Sequence, residues 1–178
     1  MADCCEPGTG LRFVELSHRR GHGVPVWPGD AEVKIERGVN HARDGVMSQK
    51  VAMNMHCATH VNAPIHLIQG AAYVGDLPLD RFFGSGVILS IPKARWELVT
   101  AKDLEQARPQ VKRGDIVLIV TGWHVKFSDS QEYFGQAPGL SEDAAQWLIG
   151  RASIWWVWIR PLLIIRWRRR SGRSAMVR

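Results

Sequence analysis

The strongest constraint on the fold is an apolar run in the second half of the chain. Residues Ile116 to Val120 are five consecutive aliphatic side chains, followed by Thr121. A strand with one face in water alternates apolar and polar residues, and this run does not. Its pattern is typical of a strand buried on both faces. The sequence therefore predicts such a strand at residues 116–121.

Other segments show weaker signals of the same kind. Alternating or β-branched patterns predict four further strands, at Phe13–Ser17, Val33–Arg37, Val46–Met55 and Val87–Ile91. Thr100 is a good N-cap for a short helix over residues 101–107, which Pro109 would end. Ser141 can cap a second helix, because Glu142 and Asp143 then lie in its first turn, where the helix dipole favours acids.

Composition fits one soluble globular domain. The chain has 178 residues, of which 46% are hydrophobic and 22% are charged. Its three cysteines suggest no disulfide framework, and the N-terminus lacks the apolar core of a signal peptide. We therefore expect a cytoplasmic, reduced protein. Residues 1–11, with Cys4 and Cys5, form a Gly/Pro-containing head that we expect to be disordered.

The densest site chemistry lies between His56 and His66, where three histidines and one carboxamide fall within eleven residues. Imidazoles are common ligands of zinc, and a further histidine can act as a base. Spacing alone leaves a metal site and surface histidines both open. Histidines on one helix face are the poorer explanation, because the run from Asn62 to Pro64 would break a helix. A strand end followed by a turn fits better.

This segment, HxxTHxxAPxH, resembles the signature of the metal-dependent cyclase and kynurenine formamidase family, HxGTHxDxPxH. The resemblance extends in order from about Phe13 to Gly150. Its other segments are Val14–His18, Val24–Asp30, Leu77–Asp80, Gly86–Leu89, Gly114–Trp123, and Ala137–Ser141 with Ala144, Ala145, Trp147 and Leu148. The family implies an α/β fold, a swivelling β/β/α domain with a β-barrel-like core, usually dimeric.

The resemblance also implies site residues. It makes His56, His60 and Asn62 the metal ligands and His66 the catalytic histidine, with zinc or manganese as the cofactor. Ala58 stands where the family has glycine, and Asn62 stands where it has aspartate. An amide oxygen is a weaker donor than a carboxylate. Because a subgroup resembling this chain has Asn at this position, we interpret the chain as one of its members.

The implied reaction is hydrolysis of an aryl formamide, such as N-formylkynurenine, or of a related amide or lactam, hence a small-molecule substrate. Thr59 would orient a ligand, or else bond the backbone of a turn. Trp27 and Trp123 are candidates for an aromatic substrate wall, although each is also an ordinary core residue. Cys57, within the motif, is a further candidate ligand or nucleophile and the weaker one.

Residues 151–178 differ from the rest. They hold eight arginines, no acid and half of the tryptophans, so the net charge of +6 is local to this tail. Such a tail favours neither a nucleic-acid partner, which needs a basic face, nor a membrane span, for which the apolar part is too short. Trp has one codon, and shifting the frame within Ile154–Ile159 restores Leu-Val-Gly-Val-Asp, which resembles the family's next strand. We infer a frameshift between Trp147 and Ile154.

Two functional hypotheses follow. One is a metal-dependent hydrolase, with a cyclase-like domain at residues 12–150 that is incomplete and a non-native tail at 151–178. The other is an inactive truncated or frameshifted fragment that at most binds metal. Under either hypothesis we expect residues after about Ala152 to form no native element, because an apolar strand interrupted by Arg160 has no consistent buried face.

Overall fold

The computed structural model describes residues 4–5, 12–151 and 156–158, with side chains described for 13–151. The chain divides into two compact units, Met1–Val61 and Asn62–Arg178. No helix in these described ranges is long and apolar enough to cross a membrane.

The first unit is built on two small antiparallel pairs. Strand β1 (Cys4–Cys5) pairs with β2 (Arg12–Phe13), and β3 (Lys34–Arg37) pairs with β4 (Gln49–Ala52). A short helix, α1 (His41–Asp44), lies between β3 and β4. Its N-cap is Asn40, whose side chain accepts a hydrogen bond from the backbone N–H of Arg43 at 3.1 Å.

Two strand predictions in this unit were too long. Of Phe13–Ser17, only Phe13 is in a strand, and Val14 and Leu16 are about half exposed. The alternation of apolar and polar residues in this segment therefore predicted a buried strand face that does not form. The predicted Val46–Met55 is reduced to Gln49–Ala52, because its partner β3 is only four residues long and pairing ends with it.

The second unit contains the larger sheet. Strands β5 (Gly86–Ser90), β7 (Ile116–Val120) and β9 (Trp156–Trp158) lie side by side in the order β5–β7–β9, all parallel. A second parallel pair joins β6 (Leu98–Val99) to β8 (Gly139–Leu140). Its described part also holds three α-helices, α2 (Ala101–Gln106), α3 (Gln131–Gly135) and α4 (Glu142–Gly150). Short 3-10 helices span Pro64–His66, Val74–Asp76, Leu79–Phe82 and Trp123–Lys126.

The core of the second unit lies between one face of this sheet and two helices. Val117 and Ile119 of β7 and Leu89 of β5 are fully buried, and they pack with Leu104 of α2 and Leu148 of α4. The other side chains of β7, Ile116, Leu118 and Val120, are half-buried. The apolar run therefore forms the predicted strand, with one face more deeply buried than the other.

Strand β9 lies in the tail, whose non-native character stays a prediction. Residues 156–158 pair with Val117–Ile119 of β7 in a parallel ladder, so an element does form after Ala152. The physical reason is that ladder hydrogen bonds join backbones, and Trp and Val both favour extended geometry. Likewise, Cys4–Cys5 of the head form a strand. Of the head and the tail, only residues 4–5, 151 and 156–158 are among the described residues.

The four sheets among the described residues are separate, with two or three strands each. The observed architecture is a mixed α/β fold. A barrel-like core stays a prediction.

The structure confirms both predicted helix N-caps. Thr100 caps α2 and Ser141 caps α4, each accepting a hydrogen bond from a backbone N–H of the first turn. At α2 the cap is reciprocal, since Asp103 Oδ2 accepts from the Thr100 N–H at 2.7 Å and from Lys93 Nζ at 2.9 Å. Partial burial alone raises the pKa of Asp103, but these hydrogen bonds outweigh it and leave the pKa lowered.

We predict that Asp103→Asn lowers the free energy of unfolding by about 1 kcal/mol at neutral pH, because the cap loses its charge-assisted bonds. Since folding lowers the pKa of Asp103 below its ordinary 3.8, the folded state binds fewer protons near that pH. The contribution is therefore complete above about pH 4 and lost on further acidification. Urea unfolding at several pH values measures it. Asp129→Asn in an exposed loop is the control, and equal losses in the two variants would contradict the prediction.

The loop that follows β4 contains an unusual backbone. Ala58 has φ 52°, in the left-handed region. A Cβ atom there crowds the following carbonyl oxygen, which costs about 1–2 kcal/mol relative to glycine. Position 58 is where the resembling family has glycine. The alanine therefore holds this turn under strain.

We predict that Ala58→Gly stabilises the protein by about 0.5–1 kcal/mol, the relieved strain less the added chain entropy of glycine. For a chain of this size the melting temperature should rise by about 1–4 °C. The matched control is Ala63→Gly, because Ala63 has an ordinary φ of −81° and glycine there should only destabilise. Calorimetry of both variants tests this, and a lower melting temperature for Ala58→Gly would refute it.

Candidate metal centre

Two imidazoles meet in the loop that follows β4. His56 Nδ1 lies 3.1 Å from His60 Nε2, and the rings are nearly perpendicular, with centroids 5.1 Å apart. His56 is half-buried and His60 is exposed. The structure therefore brings together the two residues that the sequence predicted as a ligand pair, with one nitrogen of each ring facing the other.

The protonation of the pair follows from its neighbours. His60 Nδ1 lies 2.9 Å from the carbonyl oxygen of Ala58. A carbonyl only accepts, so Nδ1 of His60 carries the proton and, in the neutral ring, Nε2 presents a lone pair. His56 Nδ1–H then donates to that lone pair. The contact is a single proton held between two nitrogens.

The pair fits two corners of a metal site. Two imidazole nitrogens bound at about 2.0–2.1 Å to one tetrahedral zinc lie about 3.3 Å apart, close to the distance seen here. His60 also has the partner that metal-bound histidines usually have, a carbonyl on the other ring nitrogen. In the part of the chain with described side chains, no three His, Cys, Asp or Glu side chains form a metal-binding group. A metal held here needs another ligand.

Hydrogen bonds from within the first unit hold the loop in place. Asn54 Oδ1 accepts from the His56 N–H at 3.3 Å, and Thr59 Oγ1 accepts from the His18 N–H at 3.0 Å. Arg20 Nη2 donates to the carbonyl oxygens of Cys57 at 3.2 Å and Thr59 at 3.0 Å. The loop is thus anchored on both sides of Ala58.

Sequence reasoning missed Asn54 and Arg20. A signal existed for Asn54, because an Asn side chain often bonds the backbone two residues ahead. For Arg20 the sequence held no such signal, since its partners lie 37 and 39 residues away. Nothing in the sequence distinguishes Arg20 from its neighbour Arg19. For Thr59 the observed contact is a bond to the backbone, and a ligand-orienting role stays a prediction.

Cys57 is fully buried within the motif. Burial raises the pKa of its thiol, and the nearby charge of Arg20 opposes that shift without reversing it. A neutral, enclosed thiol is a poor nucleophile. Cys57 therefore acts here as a packing residue under the loop.

The other two predicted site residues belong to the second unit. Asn62 is exposed at its start, and His66 is exposed at the end of the 3-10 helix Pro64–His66, with its backbone N–H bonded to Ala63 O at 3.0 Å. Their roles as third ligand and catalytic histidine stay predictions.

The two tryptophans differ in burial. Trp27 is half-buried in a turn of the first unit, which Asp30 closes by donating to the Trp27 carbonyl. Trp123 is only 4% exposed, its Nε1 donates to Tyr133 O at 3.1 Å, and Lys126 Nζ lies 4.5 Å from its ring centroid. Trp123 also borders an open cleft of about 480 Å³ in the second unit. A substrate-wall role stays a prediction for both.

A second open cleft, of about 430 Å³, lies in the first unit. It is lined by the ends of β3 and β4 and by Met53 and Asn54. Because Asn54 also bonds the backbone of His56, this cleft adjoins the loop that carries the histidine pair.

Known proteins resemble this chain over part of their length. The kynurenine formamidase of Geobacillus thermodenitrificans is 32% identical over 84 residues, which are 46% of this chain and 40% of that enzyme. The kynurenine formamidase of Bacillus cereus is 26% identical over 138 residues, 76% of this chain and 62% of that enzyme. The chain thus covers less than two thirds of either relative.

Solved structures share the fold. An isatin hydrolase bound to the product analogue thioisatinate matches with a TM-score of 0.71 at 21% identity, covering 83% of this chain and 66% of that one. A potential metal-dependent hydrolase with cyclase activity matches with a TM-score of 0.60 at 22% identity, covering 77% and 62%.

The family described as "Putative cyclase" matches residues 14–159. The match confirms the family that the sequence motifs predicted, while the Asn subgroup and the frameshift stay predictions. It includes the histidine loop, the parallel strands β5 and β7, and the helix α4. By this match the chain belongs to the cyclase family.

Proposed function

We propose that this protein is a metal-dependent amide hydrolase acting on an aryl formamide, such as N-formylkynurenine, or on a related lactam. The observation that carries the proposal is the pair of facing imidazole nitrogens 3.1 Å apart, one of them oriented by a backbone carbonyl. The names of the relatives support the substrate class, because kynurenine formamidases and an isatin hydrolase both act on amides of aromatic amines.

The metal would be zinc or manganese, held by His56, His60 and the side-chain oxygen of Asn62. When bound, it supplies a Lewis acid that polarises the carbonyl and lowers the pKa of a water. His60 contributes orientation, because its bond to Ala58 O fixes which nitrogen faces the ligand. A metal at His56 Nδ1 would require the proton of that ring to lie on Nε2, so neutral His56 would change its tautomer and the pair would release no proton.

His66 is proposed to move the proton of the reaction. It takes a proton from the attacking water and returns it to the nitrogen that leaves, as a general base and then a general acid. The carbonyl carbon gains an oxygen, the C–N bond breaks, and the products are an amine and a carboxylate. Thr59 would orient a ligand, and Trp27 and Trp123 would contact the aromatic part of the substrate.

The remaining parts of the proposal are a small-molecule substrate, a cytoplasmic location and a dimer. The substrate and the dimer follow from the family resemblance, and the cytoplasmic location follows from the cysteine content. The alternative, an inactive truncated or frameshifted fragment that at most binds metal, predicts no turnover.

The first experiment measures metal content and hydrolysis together. We expect the protein loaded with zinc or manganese to hydrolyse N-formylkynurenine or isatin. His56→Ala and His60→Ala should each lower metal affinity at least 10-fold and abolish turnover, because each substitution leaves only one of the two imidazole ligands. His66→Ala should keep the metal and lose at least 100-fold in kcat.

The matched control is His41→Ala, which removes an exposed histidine from α1 in the same unit and should change neither quantity. A folded wild-type protein that takes up no metal would refute the proposal. Metal uptake without hydrolysis of either substrate would support the inactive fragment instead.

A second prediction concerns the neutral ligand. We expect Asn62→Asp to raise metal affinity about 10-fold or more, because a carboxylate of similar shape adds a negative charge facing a dication. Asn40→Asp adds the same charge at the cap of α1, where Asp serves as well as Asn, and should leave affinity unchanged. Competition titrations with a chelator measure both. Equal or weaker binding by Asn62→Asp would mean that residue 62 is not a ligand.

A further inference from the structure

We propose that Arg20 is a positioning residue for the metal centre, acting through the loop backbone on the tautomer of His60. This inference rests on the proposed function for its purpose. Its structural basis is independent, because all of the contacts are hydrogen bonds between residues of this chain.

The contacts come from one guanidinium nitrogen. Nη2 of Arg20 donates to Cys57 O at 3.2 Å and to Thr59 O at 3.0 Å. A terminal guanidinium nitrogen has two N–H groups, so this nitrogen uses both. The two carbonyls belong to the residues immediately before and after Ala58.

Fixing those two carbonyls fixes the peptide plane between them. The orientation of a backbone carbonyl is set by the dihedral angles of the residues on either side. With the Cys57 and Thr59 carbonyls both directed at Arg20, Ala58 is held at its φ of 52° and its own carbonyl points to His60 Nδ1, 2.9 Å away. That carbonyl keeps the proton on Nδ1 and leaves the lone pair of Nε2 facing His56.

The two hydrogen bonds from Arg20, which we call the clamp, are needed because the backbone of Ala58 is strained. Alanine at positive φ relaxes toward ordinary backbone angles unless its surroundings prevent it. Charge-assisted hydrogen bonds are the stronger kind and can prevent it. If Arg20 is removed, we expect Ala58 to relax, its carbonyl to turn away, and His60 to lose its fixed tautomer.

The direction in which Arg20→Ala changes metal affinity distinguishes a positioning role of Arg20 from an effect of its charge. A guanidinium is positively charged, so its field alone opposes binding of a metal dication nearby. If charge dominated, Arg20→Ala would strengthen metal binding. If positioning dominates, the same substitution weakens it.

The test combines a metal-free and a metal-bound measurement. In the metal-free protein, nitrogen NMR of the imidazoles reports which nitrogen of His60 carries the proton. We expect the Nδ1–H form in the wild type and a mixture of tautomers in Arg20→Ala. Titration with Co²⁺ should show affinity lowered about 10-fold or more in Arg20→Ala, the usual effect of losing a residue that orients a ligand.

Two further variants keep the test decisive. Arg20→Lys keeps the charge and one donor group but loses the planar guanidinium, so we expect a metal affinity between those of the wild type and Arg20→Ala. It replaces Arg20→Ala in the test if that variant fails to fold. Arg19→Ala removes the same charge from the neighbouring residue, which has no hydrogen bond or ion pair with the described residues. It should behave as the wild type.

The outcomes separate this inference from the proposed function. If the wild type binds Co²⁺ and Arg20→Ala binds it equally well or better, the inference is overturned and the metal site stands. If the wild type binds no Co²⁺ but Arg20→Ala still loses the Nδ1–H tautomer of His60, the clamp stands and the metal function fails. A wild-type tautomer that is unchanged in both Arg20 variants overturns the clamp.

Discussion

One hydrogen bond, from His60 Nδ1 to the Ala58 carbonyl, decides what the candidate centre can do. It fixes the tautomer of His60, and the tautomer decides whether the nitrogen facing His56 offers a lone pair or a proton. The same carbonyl points correctly only while Ala58 holds its left-handed conformation. The chemistry of two exposed or half-exposed histidines thus depends on the backbone of a strained turn, and through it on contacts from the chain near residue 20.

The sequence was informative wherever the determinant was local. The apolar run predicted β7, and Thr100 and Ser141 predicted the starts of two helices, because strand burial and N-caps depend on neighbouring residues. The predicted His56–His60 pair also meets, since four residues bridged by one turn keep two side chains close. Arg20 was invisible because its partners are about forty residues away. The strand at Phe13–Ser17 failed for a related reason, since alternation marks a possible face without showing that anything covers it.

Strand β9 is compatible with the proposed frameshift. A parallel ladder is made by backbone groups, so it accepts any sequence that favours extended geometry. The present residues around 154–159 are apolar and β-prone, and the offset reading Leu-Val-Gly-Val-Asp has the same character. The family match also continues to residue 159. In the offset frame the strand would therefore keep its place beside β7, but its side chains would differ. They would include an aspartate that the present chain lacks at this position.

The neutral ligand set gives the proposed centre its particular chemistry. Two imidazoles and one amide carry no negative charge, so a bound dication would keep its full charge at the site. Such a metal polarises a carbonyl and acidifies a water more strongly than one with a carboxylate ligand, because no ligand charge offsets its field. The same lack of charge weakens binding, since oxygen donors without charge hold hard cations less tightly. If Asn62 is the third ligand as proposed, Asn in place of Asp would lower metal affinity and raise Lewis acidity, and the fixed tautomer of His60 would then matter more because the third ligand would be weak.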